Sequence, residues 1–148
     1  MGLAFGGLGI AMAPTKRYLR MAEQTRRDMA AHEREIERII QSNFSTSCMS
    51  NAKWRRALDA LQDVRDSVTG CRWKFVDGDR IQESVLPSES SIEEEGYIED
   101  PFGIIDLKHV EWLEVTTAEP TAALAALAAR GQFAVECIAG GIRLFGYR

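Results

Sequence analysis

Apolar side chains recur along this chain with two different periods, and the places where the period changes mark the predicted elements. Over residues 16–41, Tyr18, Ala22, Met29, Ile36 and Ile40 form one narrow stripe at spacings of four and seven, with charges of both signs over the rest. That pattern predicts an amphipathic helix capped by Thr15, either laid on the domain or paired with a second copy. Ser42–Ser50 reads as a polar hinge with Phe44 and Met49 as anchors. Ser50 or Asn51 then caps a second helix over residues 52–68, whose apolar face is Trp54, Ala57, Leu58, Leu61, Val64 and Val68 and whose stop is Gly70.

At Cys71 the period becomes two. Cys71, Trp73 and Phe75 alternate with Arg72 and Lys74, a half-buried strand, and Asp77-Gly78 turns it into a return strand over residues 79–86 with Ile81 and then Val85 facing inward. A later strand is expected to run unbroken from Ile104 to Val115. Val110, Trp112 and Glu114 share one of its faces and Glu111, Leu113 and Val115 the other, so apolar groups on both sides mark it as central. Thr117 caps a third, alanine-rich helix with Pro120 in its first turn and Gly131 at its end. Phe133–Ile138 and Ile142–Tyr147 close the chain as a hairpin in which Gly140 and Gly141 supply positive φ.

These elements define an α+β fold: a mainly antiparallel sheet of about five strands with two packed helices, preceded by a long N-terminal helix. Residues 1–14 read as a disordered or spurious leader, 15–44 as an N-terminal helical extension, and 45–148 as a single α+β domain. The apolar run Gly2–Ala13 is shorter than the ~20 residues needed to cross a bilayer, so no stable membrane anchor is expected; a membrane-touching segment is the alternative for this run. Strand order cannot be read from the pattern.

Charge changes the picture more than composition does. Residues 1–56 carry ten basic and five acidic side chains, whereas residues 57–148 carry eight basic and seventeen acidic ones. A body so acidic repels nucleic-acid phosphates and attracts basic surfaces. The basic residues Arg17, Arg20, Arg26 and Arg27 are interrupted by acids, and Lys53-Trp54-Arg55-Arg56 reads more simply as a core tryptophan flanked by cations lying along the surface. No nucleic-acid partner is expected. Cys48, Cys71 and Cys137 are odd in number and lack C-x-x-C spacing, which fits reduced thiols in a cytoplasmic protein rather than a disulfide framework or zinc site.

The most distinctive stretch runs from Ile81 to Leu107, 27 residues with eight acids and no Lys or Arg. Pro87, Pro101, four serines and two glycines predict a loop in its middle, narrowed to Glu89–Phe102 once flanking strands are taken off. One reading is a solvated connector. The other is a binding edge, in which carboxylates draw a basic partner and Ile92, Tyr97, Ile98 and Phe102 grip it. On that reading the partner-binding residues are Glu89, Glu93, Glu94, Glu95, Tyr97, Glu99, Asp100 and Phe102.

Catalytic chemistry is not indicated. The sequence has no phosphate-binding glycine loop, nucleophile elbow, zinc-protease helix or calcium-loop pattern. Glu93, Glu94 and Glu95 are consecutive and solvated, whereas acid–base catalysis needs carboxyls whose environments push their pKa values apart. His109 reads as a surface strand histidine rather than a base. Neither enzyme activity, nor a cofactor, nor a bound metal is expected.

Three short motifs carry a resemblance: Asn51-x-Lys53-Trp54 opening a helix, Val110-Glu111-Trp112-Leu113-Glu114-Val115 on a strand, and the terminal Leu144-Phe145-Gly146-Tyr147. Over residues 48–148 the chain resembles a family of small bacterial proteins of uncharacterised function, similar in size and organisation to immunity proteins, the cytosolic antidotes to delivered toxins. The resemblance implies an inhibitor that sequesters a basic toxin domain, here through the acidic loop. The alternative expectation is a regulatory or scaffold protein that forms a homodimer through its N-terminal helix.

Overall fold

The computed structural model describes residues 15–101 and 103–148, with the Asp100 side chain left out; the expectation for the leader, residues 1–14, lies outside the described residues. The chain divides into two compact units between Glu37 and Arg38.

Helix α1, Lys16–Asn43, opens where the Tyr18 amide donates to Thr15 Oγ1 at 3.1 Å. Its first unit is held by local pairs such as Arg27 with Glu23 at 2.7 Å, each contributing a few tenths of a kcal/mol at most on an exposed helix (~0.3–0.5). On the apolar stripe Tyr18 and Met29 are 61% and 65% exposed.

The second unit is α+β. A five-stranded, wholly antiparallel sheet has the order β2-β1-β5-β7-β6, built from β1 (Val68–Phe75), β2 (Ile81–Ser84), β5 (Val110–Thr117), β6 (Val135–Ile138) and β7 (Gly141–Phe145). A separate antiparallel pair, β3 (Tyr97–Asp100) and β4 (Gly103–Asp106), stands beside it. Helices α2 (Asn51–Leu61) and α3 (Pro120–Ala128) share a single core with the sheet. Trp54 and Leu58 of α2 and Leu127 of α3 meet Trp73, Phe75, Leu113, Ile142 and Leu144 there, with the Trp54 and Trp73 rings 5.8 Å apart. Each large apolar side chain buried in this way stabilises the fold by roughly 1.5–3 kcal/mol.

As the two-sided apolar pattern implies, β5 is the central strand, but its parity is not the one expected. Phe75 pairs with Val110 and Lys74 with Trp112, so Glu111 is an extra residue that bulges from the ladder. The bulge turns Val110 onto the core side with Leu113 and Val115. It also lets Gly146 approach closely, since a Cβ there would strike the Val110 carbonyl oxygen.

Several expected boundaries move for identifiable reasons. Helix α2 keeps its Ser50 cap, whose side chain accepts from the Lys53 amide, but ends at Leu61; a 3-10 turn covers Gln62–Ser67 and Gly70 lies inside β1. The strand expected from Ile104 to Val115 is broken by a 3-10 turn, Leu107–His109, because the Asp106 carboxylate accepts the Lys108 amide at 3.1 Å and draws the chain out of the ladder. Thr117 does not cap α3; its hydroxyl accepts the Glu119 amide in a local turn and pairs with Ser67 Oγ at 2.8 Å. Gly140 takes positive φ in the last hairpin, but Gly141 belongs to β7 and is needed because a Cβ would strike the Val115 carbonyl.

The return strand also has the opposite face inward. Trp73 pairs with Gln82 and Cys71 with Ser84, so Gln82 and Ser84 share the core side while Ile81 and Val85 face outward. The expected hinge around Ser42–Ser50 is pinned by the chain terminus. The Ser45 and Thr46 amides donate to the Arg148 carbonyl, Cys48 donates to Gly146, and the Phe44 ring lies 5.7 Å from Tyr147.

Away from the helices the sheet carries a row of alternating charges across all five strands: Glu83, Arg72, Glu114, Arg143 and Glu136. Glu114 is nearly buried and accepts from Arg72 Nη1 at 3.2 Å and Arg143 Nε at 2.9 Å. Arg143 also reaches Glu136 at 3.5 Å and lies over the Trp112 ring.

Candidate functional site: the acidic turn

Residues 92–98 of the acidic stretch form a tight turn fastened to the core. Ile92 and Ile98 face each other as a β-bridge, the Glu93 amide donates to the Tyr97 carbonyl at 2.8 Å, and the Gly96 amide donates to the Glu93 carbonyl at 2.9 Å. Glu94, Glu95 and Gly96 are therefore the three residues of a tight loop, with Gly96 at φ +89° as such a loop requires. A Cβ there would also meet the Asn51 side-chain amide, which would have to shift.

Two attachments set this turn in place. From α2, Arg55 Nη1 donates to the Ile92 carbonyl at 3.2 Å and Nη2 to the Glu93 carbonyl at 3.0 Å. On the other side the Leu107 amide donates to the Gly96 carbonyl at 3.0 Å. Ile92, Ile98 and Ile105 are buried in the core beneath it. That burial corrects the expectation that Ile92 and Ile98 grip a partner: they hold the hairpin down.

The carboxylates remain outside. Glu93, Glu94 and Glu95 are exposed at the tip, and Glu99 is exposed on β3, on the same face as the half-buried Tyr97. Partial burial, and then the charges of Glu95, Glu93 and Glu99, raise the Tyr97 phenol above its ordinary value, so the ring sits in acidic company. Glu89 is exposed on a separate 3-10 turn, Glu89–Ser91. Glu99 also borders a groove of about 340 Å³ lined by Arg65, Ser88, Ser91 and Pro101. Asp100 pairs with Gly103 at the end of β3, and Phe102 lies outside the described residues.

Sequence reasoning missed Arg55 as the support of the turn, and the closeness of Asn51 to Gly96. The only signal was the Lys53-Trp54-Arg55-Arg56 cluster, of which the first three are used internally: Trp54 is in the core, Lys53 Nζ donates to the Cys48 carbonyl at 3.4 Å, and Arg55 clamps the turn, while Arg56 is exposed. His109 lies in the 3-10 turn, with Nε2 3.6 Å from Asp106 Oδ2, rather than on a strand. Burial pushes the Cys71 thiol up to about 12, which leaves it protonated and unreactive. Among the described residues no helix is long and apolar enough to cross a membrane.

With the fold and this geometry in hand, the chain was compared with protein-family models, curated proteins and solved structures, and none of the three comparisons produced a match.

Proposed function

We propose that this chain is a protein-binding module that takes a basic protein partner on the Glu93–Tyr97 turn, and that it works as a cytoplasmic immunity-type inhibitor of a bacterial toxin. The observation that carries the reading is the clamp of Arg55 on the main chain of Ile92 and Glu93. A flexible acidic loop loses conformational entropy when a partner fixes it, about 1–2 kcal/mol per residue of backbone. A turn already fixed by a guanidinium, a positive-φ glycine and two core isoleucines avoids most of that cost, which is the advantage of preorganisation. The exposed carboxylates steer a cationic surface, and Tyr97 gives it a ring to pack against. The acidic balance of residues 57–148 strengthens the same attraction.

Affinity capture from the native bacterium tests this reading, with wild type run beside the triple reversal Glu93→Lys/Glu94→Lys/Glu95→Lys. A basic protein retained by wild type, and released both by the reversal and by high salt, is the expected result. Capture of the same proteins by both chains would remove the turn from the interface.

A second reading has its own support. The helix up to Glu37 exposes Tyr18, Leu19, Met21 and Met29, large apolar side chains that a helix standing alone in water does not favour. A regulatory or scaffold role through homodimerisation of this helix accounts for them. It predicts that Tyr18→Glu/Met29→Glu in the full chain halves the mass measured by light scattering; an unchanged mass would dismiss it.

A further inference from the structure

Strand β2 is an outer strand of the five-stranded sheet, paired on one side only with β1. The Phe75 amide donates to the Arg80 carbonyl, and the register continues without slip through Trp73–Gln82 and Cys71–Ser84. In an antiparallel ladder bonded pairs alternate, so Gln82 and Ser84 spend their main-chain groups on β1 while those of Ile81 and Glu83 point away from it. The side chains of Ile81 and Glu83 stand on the sheet face away from the core, and Val85, the residue just past β2, continues the same outward alternation, with Ile81 38% and Val85 78% exposed.

Beside them Gly70 leaves a hollow. A Cβ there would have the Ser84 carbonyl oxygen at 3.9 Å, and the resulting cleft of about 390 Å³ is lined by Gly70, Arg72, Glu83, Val85 and Thr116. A further opening of about 410 Å³ runs along Arg80–Glu83. Glu83 stands opposite Arg72 in the register, yet Arg72 gives its Nη1 to Glu114, and Glu83 forms no ion pair among the described residues. The row of alternating charges thus ends at the edge on an unspent carboxylate.

We propose that β2 is a docking edge for an extended segment of a different protein, one that adds a strand to the sheet. The segment carries a Lys or Arg opposite Glu83 and β-branched residues two positions away on each side, opposite Ile81 and Val85. Main-chain bonds to Ile81 and Glu83 supply affinity in this mode, and the alternate side chains supply selectivity. A second copy of this chain is disfavoured as occupant. The register that sets Ile81 against Val85 of another copy sets Glu83 against Glu83, and like charges directly opposite are destabilising. Val85 also lines the groove that Glu99 borders, but the docking at Ile81 and Glu83 does not depend on the role of the acidic turn.

The test is amide exchange by NMR on the full chain. Two nine-residue peptides serve as probes, one with a Val-Thr-Lys-Thr-Val core and one with Glu in place of the Lys. With the Lys peptide near saturation, exchange at the Ile81 and Glu83 amides is expected to slow at least tenfold. The Glu peptide is expected to bind at least tenfold more weakly, and Glu83→Lys to reverse that preference. The proposal is overturned if millimolar Lys peptide leaves both amides unprotected, or if Glu83→Lys keeps the preference for Lys. It is overturned equally if protection grows with protein concentration alone, which would mean that copies of this chain pair with each other. Because Glu83 is exposed, the charge change is expected to leave the melting temperature within a few degrees of wild type, and that melt is the check that the variant is folded.

Discussion

Arg55 and Glu93 are joined by a charged donor on a main-chain acceptor: the guanidinium of α2 holds the Glu93 carbonyl oxygen at 3.0 Å while the Glu93 carboxylate faces water. The side chain that displays the charge and the carbonyl that fixes it in space belong to the same residue. Presentation of the acidic turn therefore depends on a cation of α2 that is spent on the main chain.

Removing that cation should loosen the turn without unfolding the domain. Arg55→Ala gives up two charge-assisted hydrogen bonds at a partly exposed site, about 1–2 kcal/mol in total after allowance for water. Hydrogen exchange at Glu93, Gly96 and Tyr97 should quicken while exchange in β1 and β5 is unchanged. Arg55→Lys, with a single ammonium in place of a two-pronged donor, should fall between the two.

Gly96→Ala carries two separable penalties. The positive φ costs about 1–2 kcal/mol for any other residue, and the contact with Asn51 adds to it. Asn51→Ala in the same chain should recover the contact part and leave the backbone part. Denaturant unfolding of the two single variants and the double variant measures both.

Glu114→Gln should destabilise by about 1–3 kcal/mol. It removes the charge shared by Arg72 and Arg143, and both arginines remain partly hydrated, which keeps the loss below that of a fully buried pair. Thermal unfolding at low and at high salt checks this, with the difference between wild type and variant shrinking as salt rises.

The thiols should differ sharply. Cys137 is exposed and Cys71 is buried with its thiol pushed up to about 12, so alkylation at pH 8 should modify Cys137 first and reach Cys71 only on unfolding. In the folded state the Cys71 pKa lies above its ordinary value of 9.0. The folded chain therefore binds more protons than the unfolded one between these values, and the stability linked to this group, fully present below pH 9, is lost as pH rises toward 12. Cys71→Ala should flatten that part of the stability profile, whatever the core vacancy costs at neutral pH.

The elements that could be read in the sequence are those whose signal is local. Ser50 before a helical apolar face, Cys71-Trp73-Phe75 alternation, and the two-sided apolar pattern of Val110–Val115 gave the α+β class and the central place of β5. What stayed hidden depends on partners far away in the chain. The Glu111 bulge is set by pairing with β1, the Glu83–Arg72–Glu114–Arg143–Glu136 row needs the strand order, and Arg55 meets a carbonyl 38 residues later. The burial of Ile92 and Ile98 is not legible in the sequence, because lone isoleucines among acids and serines have no period to show it. Charge was legible at the site; the scaffold that holds it was not.

The proposed binding of a basic protein on the acidic turn is tested most directly by the affinity of the captured partner for wild type and for Glu93→Lys/Glu94→Lys/Glu95→Lys across a range of salt. At about 1 kcal/mol per reversed charge the variant should bind roughly 100-fold more weakly at physiological ionic strength, with the gap closing as salt rises. Equal affinities at every salt concentration would contradict it.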